Sequence, residues 1–233
     1  IIRNTILYNI VFIFLGTAFS VFIAILLNEC SRKWQKRYQT LILIPHLLSY
    51  VVVSYIAYAF LGAENGMINN QILRPLGLDP ISFYTEDKYW PFILVFVNIW
   101  KTFGYSSIIY FASIIGIDRT YYEAAEVDGA SAWTQIWSIT LPLLKPVLIT
   151  MLLLSVGRIL YSDFGLFYQV PMDSGMLFNT TNTIDTFVYR GLLQTNDLGR
   201  AAAANFIQSV MGFFLVLGAN LIVRKVEKEY ALF

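Results

Sequence analysis

The chain of 233 residues holds one histidine, His46, and one cysteine, Cys30. No Cys/His cluster is present to hold zinc, and the one cysteine and one histidine fall at opposite ends of a span, too far apart to act as nucleophile and base. The side chains left to do chemistry are three charges inside otherwise apolar stretches, Lys101, Arg158 and Asp163, and an acidic, aromatic-rich run at 115–142. An ionisable group near the centre of a bilayer costs about 2.5–3.5 kcal/mol on insertion scales, so each of the three needs a partner or a polar cavity. Asn98, Trp100, Tyr105, Tyr161 and Tyr168 surround them in the sequence. Flat aromatic faces suit the C–H surfaces of a sugar and polar tips suit its hydroxyls. The candidate substrate contacts are therefore Asn98, Trp100, Lys101, Tyr105, Arg158, Tyr161 and Asp163. Two cations, Lys101 and Arg158, counted to similar depth, favour a sugar bearing carboxylates. The structural alternatives are a salt bridge between spans, or Lys101 reaching along its own stem to the interface. Arg158 and Asp163 are five residues apart and do not share a helix face.

These residues need membrane helices to position them. Hydrophobic residues are 57% of the chain and charged ones 13%, about half the charged share of a soluble domain, which excludes both a soluble globule and disorder. A net charge of +1 gives no reason to expect nucleic acid. Five stretches reach the roughly 20 residues that cross a bilayer: Thr5–Asn28, Thr40–Leu61, Pro91–Ile114, Leu143–Phe167 and Ala201–Val223. The second contains Pro45 and His46, read as a kink and not a ligand. Trp34, Tyr38 and Trp90 are read as interface anchors. Arg32, Lys33, Lys36 and Arg37, with Arg224, Lys225 and Lys228, mark the cytoplasmic side. The segments 62–90 and 168–200, with acids such as Asp173, Asp185 and Asp197, fall outside, with a short helix expected in each, over Gly66–Leu78 and Asn182–Leu193. Residue 1 is then external, and one more span is expected upstream of it. The expected fold is an all-α polytopic membrane protein, one transmembrane domain over 1–233, with five spans here and six or more in the intact polypeptide.

The cytoplasmic connection 115–142 runs against the positive-inside trend: Asp118, Glu123, Glu126 and Asp128 face the single cation Arg119. Two short helices fit, Arg119–Gly129 and Ser131–Ser138, broken at Gly129, with Pro142 opening the fourth span. Acidic and apolar residues together make either a docking surface for a soluble partner or an interfacial helix lying on lipid.

Glu123-Ala124-Ala125, three residues, Gly129, nine residues, then Ile139-Thr140-Leu141-Pro142 resembles the EAA loop of binding-protein-dependent ABC importer permeases at every specified position. Arg3-Asn4-Thr5 resembles the Asn-Thr pair that opens that family's permease core. Thr183-Ile184-Asp185-Thr186 with Tyr189-Arg190, and the ending Ile222-Val223-Arg224-Lys225 to Ala231-Leu232-Phe233, resemble the branch that imports complex oligosaccharides and polysaccharides.

The resemblance implies a type I importer core in the bacterial cytoplasmic membrane, paired with a second homologous permease. It also implies two ATPase subunits inside and a sugar-binding protein outside, with oligosaccharide as cargo. Glu123, Ala124, Ala125, Asp128, Gly129, Ile139, Leu141 and Pro142 become the ATPase-coupling residues, and ATP and Mg belong to the partner subunits. The chain agrees in having no G-x-x-x-x-G-K-[ST] phosphate loop, no expected cofactor and no expected enzyme activity of its own. The competing reading is an ion-coupled secondary sugar transporter, for which only Asp163 supplies an intramembrane carboxylate.

Overall fold

The computed structural model describes residues 1–195 and 198–231. Asp197, Leu232 and Phe233, used above, lie outside the described residues. Among these the ordered elements are helices: α1 (Ile2–Glu29), α2 (Arg32–Leu47), α3 (Tyr50–Leu61), α4 (Trp90–Ile115), α5 (Thr120–Val127), α6 (Ala132–Gln135), α7 (Leu141–Gly157), α8 (Phe178–Thr181), α9 (Ile184–Thr195) and α10 (Leu198–Val226). Among the described residues four helical runs are long and apolar enough to cross a membrane, and five if α2 and α3 count as one span.

Four expectations change. The second span stops at Leu47 and restarts at Tyr50, so its break falls three residues beyond Pro45. Ser49 caps the restart, its side chain accepting from Val52 N. The fourth span ends at Gly157, not Phe167, and residues 158–163 leave the helix before a π-type turn at Gly165–Gln169. Pro142 does not open that span; it lies inside a helical run over Ala132–Gly157. Proline lacks the N–H that residue 138 would accept from and crowds that carbonyl. The chain takes this up in a π-type turn over Ile136–Thr140, where Leu141 N reaches Ile136 O. Trp90 is no interface anchor either: it is fully buried and donates to Phe83 O at 2.7 Å.

The described chain forms two compact units. The first gathers Ile1–Phe12, Leu47–Asn98 and Arg158–Gly212. Its buried apolar residues include Val53, Trp90, Leu94, Leu166, Phe167 and Leu177. The Asn-Thr pair is built into it. Asn4 Nδ2 donates to Asn179 O and Asn182 O, and Thr5 Oγ1 accepts from Ile184 N at 3.1 Å, so the start of α1 satisfies the loop before α9. Of the two short helices expected there, α9 forms over Ile184–Thr195 and the other is a single π-type segment, Ile68–Leu73, which ends before Pro75.

The second unit gathers Ile13–His46, Ile99–Gly157 and Phe213–Phe233. Val21, Ala24 and Leu27 of α1, Tyr110, Phe111 and Ile114 of α4, and Leu144 of α7 form its core. Residues three and four apart share a helix face, which is how α1 and α4 each deliver a stripe. Leu141 and Val147 pack on the edge of this core, so α7 is rooted where the hairpin that precedes it ends.

Candidate functional site

In the second unit the EAA segment is a helical hairpin. Arg119 precedes α5, and Asp118 Oδ1 accepts from Thr120 N at 3.0 Å. That backbone donor, the largest influence on it, holds the Asp118 carboxyl below its ordinary range. At the other end Gly129 stands at φ 78, with Ala130 N bonded to Ala125 O at 2.8 Å and Gly129 N to Glu126 O at 3.0 Å. This is a Schellman turn, and the left-handed backbone is why glycine is needed there. Ser131 then caps α6, accepting from Thr134 N. Tyr122 and Thr140 join their hydroxyls at 2.9 Å, tying α5 to the foot of α7. The hairpin is thus braced at its turn and at its base.

Its surface is what a docking element needs. Glu123, Ala124, Asp128 and Gly129 are exposed, as is Pro142, while Ala125, Ile139 and Leu141 are half-buried. Tyr121, Trp133 and Trp137 are more than half exposed and Val127 is 89% exposed, an apolar area with no cover in the chain described. Beside it lies a cavity of ≈ 410 Å³ whose lining residues include Glu29, Glu123, Glu126 and Arg119. Glu29, at the end of α1, was not among the expected residues; nothing local in its sequence marks it, because the fold brings it there.

The candidate substrate contacts divide between the units. Asn98, Arg158, Tyr161 and Asp163 belong to the first; Trp100, Lys101 and Tyr105 belong to the second. Lys101 is buried, at 7% exposure, and donates to His46 O at 2.9 Å and to Pro45 O at 3.4 Å. These are last-turn carbonyls of α2, which have no intrahelical donor, and a cation at a helix C-terminus is favourable. One turn along α4, Tyr105 stacks on His46 with ring centroids 4.8 Å apart. Between the two, Gly104 lies so close to α2 that a Cβ there would stand 1.8 Å from Ile42 O. Lys101, Gly104 and Tyr105 therefore form one face of α4 that grips the end of α2. Trp100 is half-buried and Asn98 buried.

In the first unit Arg158 and Asp163 are exposed and Tyr161 half-buried, all on the non-helical segment. Among the described residues Arg158 and Asp163 make no ion pair with each other. Asp163 Oδ2 accepts from Tyr50 Oη at 2.8 Å, and its Oδ1 accepts from Leu166 N at 3.2 Å, capping the restart of the helix. Tyr161 Oη and Ser209 Oγ are 2.8 Å apart. Phe164 stacks on Tyr168 at 4.8 Å, and Tyr189 meets both edge-on, an aromatic group beside the segment in which Phe164 is the member that the sequence does not mark. Nothing local in the sequence marks Tyr50 either: it lies 113 positions from Asp163, and the fold brings its hydroxyl there.

Comparison with known proteins joins these observations. Residues 2–228 match the family described as "Binding-protein-dependent transport system inner membrane component". Protein LplB of Bacillus subtilis is 30% identical over 230 residues, covering 98% of this chain and 71% of LplB. The polygalacturonan/rhamnogalacturonan transport system permease protein YteP of the same organism is 34% identical over 215 residues, covering 90% of this chain and 64% of YteP. A chain in the crystal structure of a bacterial alginate ABC transporter, in complex with an alginate pentasaccharide-bound periplasmic protein, superposes with a TM-score of 0.89 at 33% identity, over 97% of this chain and 78% of that one. These matches give the ion-coupled alternative no support. With an all-α membrane fold and a braced EAA hairpin, the chain belongs to the family of binding-protein-dependent transport system inner membrane components, a permease subunit of an ABC importer and not an enzyme in itself.

Proposed function

We propose that this permease carries acidic oligosaccharides inward by alternating access, driven by two ATPase subunits that dock on the hairpin at 115–142. A second, homologous permease completes the pathway and an extracellular sugar-binding protein loads it; ATP and Mg sit on the ATPases. The hairpin carries this reading: it is braced, exposed and apolar, and beside it a glutamate-lined cavity suits a basic side chain of the partner. Glu123 and Glu126 attract that side chain, Ala124 and Ala125 let backbones approach, and Asp128 and Gly129 form the turn. Ile139, Leu141 and Pro142 pass the displacement into α7.

The acidic cargo is supported by the names of the relatives, which include a polygalacturonan/rhamnogalacturonan permease and a transporter involved in import of the acidic polysaccharide alginate. Arg158 is the exposed cation suited to a sugar carboxylate. Tyr161 and Asp163 are its neighbours for hydroxyls, and Asn98, in the same unit, is a further contact. Lys101 is assigned instead to holding α2. The test is uptake by the complete assembly in proteoliposomes, with acidic and neutral oligosaccharides of equal length, before and after Arg158→Met. Loss of acidic uptake well beyond neutral uptake is expected; equal losses refute the acidic assignment.

A further inference from the structure

The non-helical stretch after α7 leaves backbone groups without helical partners in a region read from sequence as membrane-spanning. Non-helical backbone at that depth persists only where protein or water satisfies it. Here three successive carbonyls and the next N–H are met by side chains. Asn9 Nδ2 lies 2.9 Å from Ile159 O and 2.9 Å from Tyr161 O, and also 2.9 Å from Thr5 O in its own helix. Gln208 Nε2, on a side chain 2% exposed, donates to Leu160 O at 2.7 Å. Asp185 Oδ2 accepts from Ser162 N at 2.6 Å and from Ser162 Oγ at 2.7 Å, and its other oxygen accepts from Gln208 at 3.4 Å. Three separate stretches of chain, α1, α9 and α10, thus each send one polar side chain to four consecutive residues.

We propose that Asn9, Gln208 and Asp185 are positioning residues for transport: they fix the backbone of 159–162 so that Arg158 and Tyr161 are presented to the sugar. The chemistry demanded is specific. Ile159, Leu160 and Tyr161 offer acceptors, so Asn9 and Gln208 must donate, and shape alone does not replace them. Asp185 must accept, because it faces an N–H, a hydroxyl and an amide. The role of the segment as a ligand-presenting element rests on the reading of the chain as a sugar permease; the positioning itself does not.

The experiment uses the complete assembly in nanodiscs and proteoliposomes. Asn9→Leu and Asn9→Asp keep the approximate size of the side chain and remove the donor. In a Cys30→Ser background carrying Arg158→Cys, the rate of modification by a membrane-impermeant thiol reagent reads the conformation of the segment without any sugar. With Arg158 intact, uptake kinetics read its consequence. Both variants are expected to change the labelling rate several-fold and to raise KM about tenfold, with a smaller fall in the saturated rate. If Asn9→Leu does not assemble, Gln208→Met, of equal length and without a donor, carries the same expectations through Leu160. Unchanged labelling overturns the proposal, and so does altered labelling with unchanged KM. An unmutated assembly that carries no oligosaccharide, with labelling that responds as stated, refutes the proposed cargo and upholds the positioning.

Discussion

Lys101→Met separates a lysine that holds backbone from one that binds cargo. Methionine keeps most of the stem and loses the ammonium that donates to His46 O at 2.9 Å and to Pro45 O at 3.4 Å. A hydrogen bond to a charged group contributes about 1.5–3 kcal/mol, and a buried acceptor left unpaired costs about 1–3 kcal/mol. Relief from burying the charge offsets part of that, so a net loss of about 2 kcal/mol is expected, mostly from the shorter bond. For a chain of this size that lowers Tm by roughly 4–8 °C. Thermal unfolding of the purified assembly in nanodiscs measures it, with Lys101→Arg expected to retain more stability than Lys101→Met. Gly104→Ala offers a check on the same contact, because its Cβ would stand 1.8 Å from Ile42 O and force α4 from α2. Once the helices are parted the ammonium no longer reaches, so the two losses should combine to less than their sum. A Tm that holds or rises in Lys101→Met, with loss of sugar affinity, refutes the assignment and returns Lys101 to the substrate contacts.

Two further outcomes follow from the hairpin. Gly129→Ala meets no atom within 4 Å, so its cost is that of an L-residue at φ 78, about 1 kcal/mol; Gly129→Asn should keep more ATPase bound on co-purification than Gly129→Val, and equal retention by all three variants would refute the conformational account. Asp118 has its acidity raised by the Thr120 N–H, so the bond is present above the unfolded carboxyl's range and is lost as pH falls through the lower, folded value; the protection of the Thr120 amide, its exchange corrected for the intrinsic pH dependence, should fall in that acid window in the native protein and stay constant in Asp118→Asn.

The sequence made some elements of this molecule readable and not others, for physical reasons. Long apolar runs mark α1, α4 and α10 within a few residues, because span length is set by the bilayer. The hairpin was readable because a turn of this kind requires glycine at one position and helix formers before it. The ends of the broken spans were not. Gly157 and Leu47 close helices beyond which apolar residues still follow, Ile159 and Leu160 after Arg158 in one case and Leu48 in the other. Hydropathy does not register a break whose cause is a partner distant in sequence: Gln208 lies 48 positions from Leu160, and Asn9 lies 150 from Ile159. Pro142 misled for the opposite reason. Its usual place is a first turn, and a π-type turn let the helix run through it.

Several polar residues at membrane depth are partners for the protein's own backbone. A bilayer makes this the prior demand, since every carbonyl released by a broken helix must be met before a ligand is considered. Lys101 is engaged with the end of α2, Asp163 with the restart of a helix and with Tyr50, and Asn9 and Gln208 with residues 159–161. Arg158 stands apart from these: it is exposed, at the first position beyond α7, on the backbone that the other residues hold. A charge that costs several kcal/mol to place at membrane depth, and that among the described residues holds no part of the fold, is available to something that arrives from outside it. The backbone partners and the ligand contact therefore require each other. Side-chain bonds keep the break rigid, and the rigid break lets one cation meet its cargo in a defined place, which is why Arg158→Met should impair acidic cargo while Asn9→Leu should impair any cargo that reads the same segment.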